Sequence, residues 1–264
     1  MAEFTAKDVQ ALRASMGVGM MDAKRALTDN DGDVEAAKRW LREKGLAKAE
    51  ERADRGSTQG AVAVARHDGA AALVSLRCET DFVAKSPEFT ALADAIAQLV
   101  AAKGESAAAE RQDDLDKLRI TLKENIGLGE IRRFEAAEGS ALDAYLHVQN
   151  GRGVNGVLVE VAGGDERLAH EVALHIAFAR PEWLRREEVP EERVAREREL
   201  FEALARNEGK PEAAVPKIVE GRLNAFFRDH CLLEQVYVRD PKTTITQLLG
   251  AATVARFAQV EIGR

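Results

Sequence analysis

The chain has 264 residues, enough for one large domain or two to three smaller ones, each with its own core. Its 45 acidic and 38 basic side chains give a formal net charge of −7, which argues against a surface that wraps nucleic acid, because phosphate binding needs a concentrated excess of lysine and arginine. Cys78 and Cys231 lack CxxC spacing, no apolar run approaches the ~20 residues of a membrane span, and Met1-Ala2-Glu3-Phe4-Thr5 carries no leader pattern, so the expectation is a soluble cytosolic protein with reduced thiols.

The first fifty-odd residues read as three short helices. Thr5 with Asp8 three positions on makes a weak capping box, and Val9, Leu12 and Met16 recur at helical spacing until Gly17-Val18-Gly19 breaks the run. Ala23, Ala26 and Leu27 mark a second helix. Val34, Ala37, Trp40 and Leu41 mark a third, with Gly45 expected as its stop. The acidic turn at 29–33 is not a calcium loop. With Gly32 at the sixth loop position, Leu27 and Lys38 would stand first and twelfth, where neither can ligate. Residues 48–55 read as a charged, helical linker.

After Gly60 the period changes from 3.6 to 2. Segments 61–66 and 70–78 flank His67-Asp68-Gly69, a hairpin signal. Residues 79–85 read as a connection. Ser86-Pro87-Glu88 then supplies a hydroxyl cap, an N-terminal proline and an acid for a helix that buries Phe89, Leu92, Ala93, Ile96, Leu99 and Val100. A further helix at 115–126 and a strand at 131–135 follow. The order then recurs: strands at 142–148 and 156–162 around a glycine-rich loop at 150–155, and a helix with Leu168, Val172, Ala173, Ile176 and Ala177 on one face. The second half therefore reads as a diverged copy of the first. Within 187–228, Val194, Leu200, Phe201 and Leu204 face Val215, Ile218, Val219, Leu223, Phe226 and Phe227 across a turn at Gly209-Lys210-Pro211, the pattern of a protruding antiparallel helical hairpin. Short strands near Val236 and at 254–262 close the chain.

The sequence gives no support to an enzyme. Its five histidines are scattered without metal-ligand spacing, and G-x-S-x-G, H-E-x-x-H and the phosphate loop are all absent. Gly151-Arg152-Gly153-Val154-Asn155-Gly156 matches G-x-G-x-x-G but precedes a strand instead of opening a helix, so it fails as a dinucleotide fingerprint. The informative peptide is Glu79-Thr80-Asp81-Phe82-Val83-Ala84-Lys85, which puts an aromatic and a carboxylate at a strand–helix joint. Two readings stand: Phe82 caps the local core while Asp81 bonds the turn, or Phe82 is an exposed wedge beside a charge.

Thr80-Asp81-Phe82-Val83-Ala84 resembles the TDFVA signature of the bacterial elongation factor Ts family. The opening Met16-Gly17-Val18-Gly19-Met20-Met21-Asp22, the middle segments Tyr145-Leu146-His147, Gly156-Val157-Leu158-Val159 and His175-Ile176-Ala177, and Val219-Glu220-Gly221-Arg222 are similar to that family in the same order, across essentially the whole chain. The resemblance implies an α+β protein: an N-terminal three-helix module like a ubiquitin-associated domain with its linker (1–55), and a core of two related α+β subdomains (56–140 and 141–264). The helical, coiled-coil hairpin (187–228) is inserted in the second subdomain. It implies a non-enzymatic guanine-nucleotide exchange factor that binds elongation factor Tu carrying GDP, disturbs its Mg²⁺ site and promotes GDP release. Thr80, Asp81, Phe82 and Val83 would carry that step. Leu12, Met20, Met21 and His147 would be further partner contacts, with Leu12 divided evenly between contact and core. No cofactor, metal of its own, membrane or direct nucleic-acid contact is expected, and a homodimer is compatible with the hairpin. A C-terminal helical module of longer family members is expected to be absent after Arg264. Two rivals are an RNA-associated ribosome-binding protein using stretches such as Arg185-Arg186, and an adaptor for ubiquitin-like proteins built on residues 1–55.

Overall fold

The computed structural model describes residues 4–263; Met1-Ala2-Glu3, on which part of the leader reading rests, and Arg264 lie outside the described residues. The chain divides into two compact units. The first runs up to Arg133 and adds Leu146–Gly156 and the segment from Val260; the second comprises Phe134–Tyr145 and Val157–Gln259.

The first unit begins with α1 (Ala6–Met16), α2 (Met20–Asp29) and α3 (Val34–Glu50). Thr5 and Asp8 form a complete capping box: Asp8 N–H donates to the Thr5 hydroxyl at 3.3 Å and Thr5 N–H donates to the Asp8 carboxylate at 2.8 Å. Gly17, at φ 63°, ends α1, and Asp33 caps α3 by accepting from Glu35 and Ala36 N–H. Val9, Leu12, Ala23, Ala26, Leu27, Ala37 and Leu41 close a shared core. Gly45 is not the stop that its residue type led one to expect, for α3 continues to Glu50. A Cβ at that position would come within 2.7 Å of Ile120 on α6 (Gln112–Leu122), so the glycine serves the close approach of two helices.

Strands β1 (Gln59–His67), β2 (Ala70–Cys78) and β3 (Gly127–Glu135) form a sheet in that order. β1 and β2 pair antiparallel from Gln59↔Cys78 to His67↔Ala70 around Asp68-Gly69, whose φ values of 43° and 77° suit a type I′ turn. α5 (Pro87–Lys103) lays Phe89, Leu92, Ala93, Ile96, Ala97 and Val100 into one core cluster with the sheet residues Ala63, Val74 and Leu76. Its start differs in one respect from the sequence reading. The Ser86 hydroxyl is buried without a hydrogen-bond partner and caps nothing, which leaves Pro87 and Glu88 to define the helix end. A 3-10 stretch (Glu105–Arg111) precedes α6, and α6 stops at Leu122, before the expected 126, because Lys123 turns to φ 59°. Residues 79–85 are not a plain connection: they hold a one-turn helix, α4 (Asp81–Ala84).

The second sheet has the order β4-β5-β6, from β4 (Ser140–Gln149), β5 (Arg152–Ala162) and β6 (Thr253–Glu261). The expected glycine-rich loop shrinks to Asn150-Gly151, with φ 53° and 80°, and the residues after it are strand. A side chain at Gly153 would strike the Val62 carbonyl oxygen at 2.1 Å, which accounts for a second glycine of the failed dinucleotide pattern. In the second unit, α7 (Glu166–Ala179) is capped by Asp165 and packs Val172, Ala173 and Ile176 with Val157, Val159 and Val161 of β5. α8 (Glu191–Asn207) and α9 (Val215–His230) form the helical pair. Its seam holds Ala205, Val215, Val219 and Leu223, with Val194 and Phe201 against them. Leu200 and Leu204, expected in that seam, face outward and are exposed. α10 (Ile245–Leu249) precedes β6, and the strand expected near Val236 is a single bridge to Thr244. No helix among the described residues is long and apolar enough to cross a membrane.

Candidate functional site

β2 ends at Cys78 and α5 begins at Pro87, and the joint between them is built around Thr80. Thr80 has extended backbone (φ −120°, ψ 155°), and its hydroxyl oxygen accepts from Val83 N–H at 3.3 Å, which caps α4. The same hydroxyl donates to the Glu124 carboxylate. The other Glu124 oxygen accepts the N–H groups of Glu79 and Thr80 at 3.0 and 3.1 Å. Glu79 in turn accepts Asn125 N–H at 2.7 Å, and the Asn125 side chain donates to the carbonyls of Ala53 and Arg55 at 2.9 and 2.7 Å. Three segments far apart in sequence are thereby clasped under one short turn. Partly exposed hydrogen bonds of this kind contribute about 0.5–1 kcal/mol net each, and together they fix the base of the turn.

On that base the four residues of α4 divide. Ala84 is buried, and Val83 packs half-buried against the core cluster of the first sheet. Phe82 points the other way and is 83% exposed. The reading of Phe82 as a core cap is therefore set aside, because a ring in the core would have lost most of its contact with water. Asp81 stands beside it and pairs with Lys85 at 2.5 Å. The hydrogen bond from Lys85 holds the Asp81 carboxyl below the usual carboxylate range, and the charges of Lys85 and Arg152 add to the effect. Arg152 is fixed by the Gly60 carbonyl at 2.7 Å and the Gln59 side chain at 3.0 Å. The joint thus offers an exposed aromatic ring next to a carboxylate that stays ionised at neutral pH.

The other sequence-nominated residues fare differently. Met21 is 74% exposed and Met20 is exposed beside it in the first turn of α2. Leu12 is corrected as a partner contact: it is 1% exposed, held in the bundle core with Ala23, Ala26 and Leu27, and presents no surface. His147 lies exposed on β4. Cys78 is buried just before the joint, its thiol donates to the Thr80 carbonyl at 3.2 Å, and burial pushes that thiol up to about 12. Glu124, Asn125 and the bonding role of Glu79 escaped the sequence reading, since nothing in the local pattern reveals a bond across more than forty residues.

A family model described as Elongation factor TS matches residues 79–264. Among curated relatives, the elongation factor Ts of Clavibacter michiganensis subsp. michiganensis is 43% identical over 278 aligned residues, covering 100% of both chains. That of Mycobacterium tuberculosis (strain ATCC 25177 / H37Ra) is 46% identical over 282, and that of Leifsonia xyli subsp. xyli 43% over 277, again with 100% of each chain covered.

Proposed function

The chain belongs to the elongation factor Ts family and is a translation elongation factor; from that premise we propose that it is a guanine-nucleotide exchange factor for elongation factor Tu. It binds the GDP-loaded partner, disturbs the partner's Mg²⁺ site and so promotes GDP release and GTP entry. No covalent bond changes. GDP is held through its phosphates and a magnesium ion with ordered waters. A factor that binds best to a magnesium-poor, distorted partner weakens GDP by the coupling free energy, and GDP weakens the factor equally. Phe82 is the wedge that enters the partner, Asp81 perturbs the groups around the metal's waters, and Thr80 and Val83 position them. Met20 and Met21 form a second, adaptable contact surface, and His147 is a further contact at the same magnesium site as Asp81 and Phe82. We assign the work to the cytosol, with α1–α3 as a ubiquitin-associated-like module at 1–55, related subdomains at 56–140 and 141–264, and a coiled-coil hairpin inserted at 187–228.

The observation that carries this reading is the 83% exposure of Phe82 on a clasped one-turn helix. The test is release of fluorescently labelled GDP from purified elongation factor Tu with and without this protein. Acceleration in proportion to the protein added is the expected result, and a release rate that does not change would reject the proposal.

A further inference from the structure

The first unit contains a half-open cavity of about 160 Å³ between the start of α2, one face of α3 and the end of α6. Its rim carries Lys44, Lys48, Arg52 and Lys123. Among the described residues none of the four forms an ion pair. Lys44 sits over the Trp40 ring at 4.5 Å, and Arg52, which also lines the cavity, donates Nε–H to the Lys48 carbonyl at 2.8 Å. The single carboxylate in the lining, Asp22, lies over Gly19 at the start of its own helix. Four cations against one anion is an unusual local balance in a chain whose formal net charge is −7. Like charges gathered at one rim repel each other, and an anion that bridges them relieves that repulsion. The floor is apolar, formed by Val18, Leu41 and Ile120.

We propose that this cavity binds a diphosphate group, either free or as part of a nucleotide. A half-open cavity of about 160 Å³ admits a small anion such as phosphate or diphosphate but not a folded surface. Arg52 supplies a planar donor fork suited to phosphate oxygens, and the three lysines supply point charges around it. A nucleoside attached to the phosphates would extend out through the open side of the cavity. The site is separate from α4 and does not depend on the exchange reading.

The test is titration calorimetry of the full chain at constant ionic strength with sodium pyrophosphate, with GDP, and with sodium sulfate as a control. Intrinsic fluorescence, to which Trp40 and Trp183 both contribute, gives a second readout, because an anion that draws Lys44 off the Trp40 ring changes that ring's surroundings. We expect one-to-one pyrophosphate binding that Lys48→Gln with Lys123→Gln, both exposed, weakens about tenfold or more. Lys210→Gln with Lys217→Gln, equal in charge and placed on the helical hairpin, leaves it unchanged. Equal affinity for pyrophosphate and GDP assigns recognition to the diphosphate, and tighter GDP binding adds the nucleoside to the same site. The proposal is overturned if neither ligand binds, if sulfate binds as well as pyrophosphate, or if the rim variant binds like the parent. It is also overturned if the rim variant weakens only the complex with elongation factor Tu, which would make the rim a contact for an acidic protein surface.

Discussion

Replacement of Phe82 by alanine separates the stability of this protein from its action on a partner. Full burial of a phenylalanine contributes ~3–5 kcal/mol relative to alanine. With Phe82 83% exposed, about one sixth of its surface is covered, so Phe82→Ala costs about 0.5–0.8 kcal/mol of folding stability. For a chain of this size that lowers Tm by roughly 1–3 °C. At an interface the same ring, if it enters a desolvated pocket, is worth ~2 kcal/mol or more, which corresponds to about thirtyfold in binding. The assay pairs a thermal melt with the release of labelled GDP from elongation factor Tu across a range of factor concentrations. The expected outcome is a near-parental melt with exchange shifted about thirtyfold or more to higher concentration. Asp81→Asn, which keeps shape and removes charge, should melt like the parent and lose part of the exchange. A Phe82→Ala protein that melts normally and exchanges at the parental rate would remove the wedge, and one that melts tens of degrees lower would show that the ring belongs to the core after all.

Glu124→Ala leaves the N–H groups of Glu79 and Thr80 and the Thr80 hydroxyl without their acceptor, so it should cost about 1–3 kcal/mol in a urea melt and weaken exchange although it touches no partner. Gly45→Leu forces atoms into Ile120 across the α3–α6 contact and should destabilise by about 1–3 kcal/mol, read by the same melt; a neutral result would mean that the helices part freely. Burial holds the fully buried His175 ring below its ordinary value of 6.5, its Nε2 facing the Gln235 side chain at 2.9 Å and its Nδ1 accepting Val238 N–H at 3.3 Å. The unfolded chain therefore binds the extra proton, and stability is complete above pH 6.5 and falls as pH drops below it; a His175→Gln variant should lack that slope. Burial pushes the thiols of Cys78 and Cys231 up to about 12 and about 11, so both should resist iodoacetamide at pH 8 in the native protein and react at once in denaturant.

Local patterns in the sequence were enough to place most elements. The capping box at Thr5, the Asp68-Gly69 turn and the Pro87 helix start are signals carried by neighbours, and each appears where its residues stand. What escaped was set by partners distant in sequence. Gly45 has the composition of a helix stop, and only Ile120, far along the chain, shows that it is a contact point. Leu200 and Leu204 fit a seam by spacing, yet Ala205 and Phe201 fill it and the two leucines turn out. The same division runs through the site. Asp81 and Phe82 were legible because an aromatic next to a carboxylate at a strand–helix joint is conspicuous, while the Glu79–Asn125 and Thr80–Glu124 bonds that hold them join segments no local pattern connects. Leu12 was ambiguous for a physical reason: position i of a short amphipathic helix looks alike whether its stripe meets its own bundle or a partner.

The contrast between a mobile and a mounted Phe82 decides how much of its contact energy can act on a partner. An apolar ring in water on a flexible loop would spend part of any binding energy on its own ordering, ~0.5–1.5 kcal/mol for each immobilised side chain and more for backbone. Here the backbone under the ring is already ordered: Thr80 caps the turn, Val83 and Ala84 anchor it in the core, and Glu124 and Asn125 tie it to segments on either side. Asp81 is likewise fixed, as an anion, by Lys85. In an exchange factor only the difference in affinity between two states of the partner can displace a nucleotide. A tip that need not be ordered on arrival leaves more of its interaction energy for that difference, so on the proposed exchange function the partly exposed clasp beneath the ring contributes alongside it.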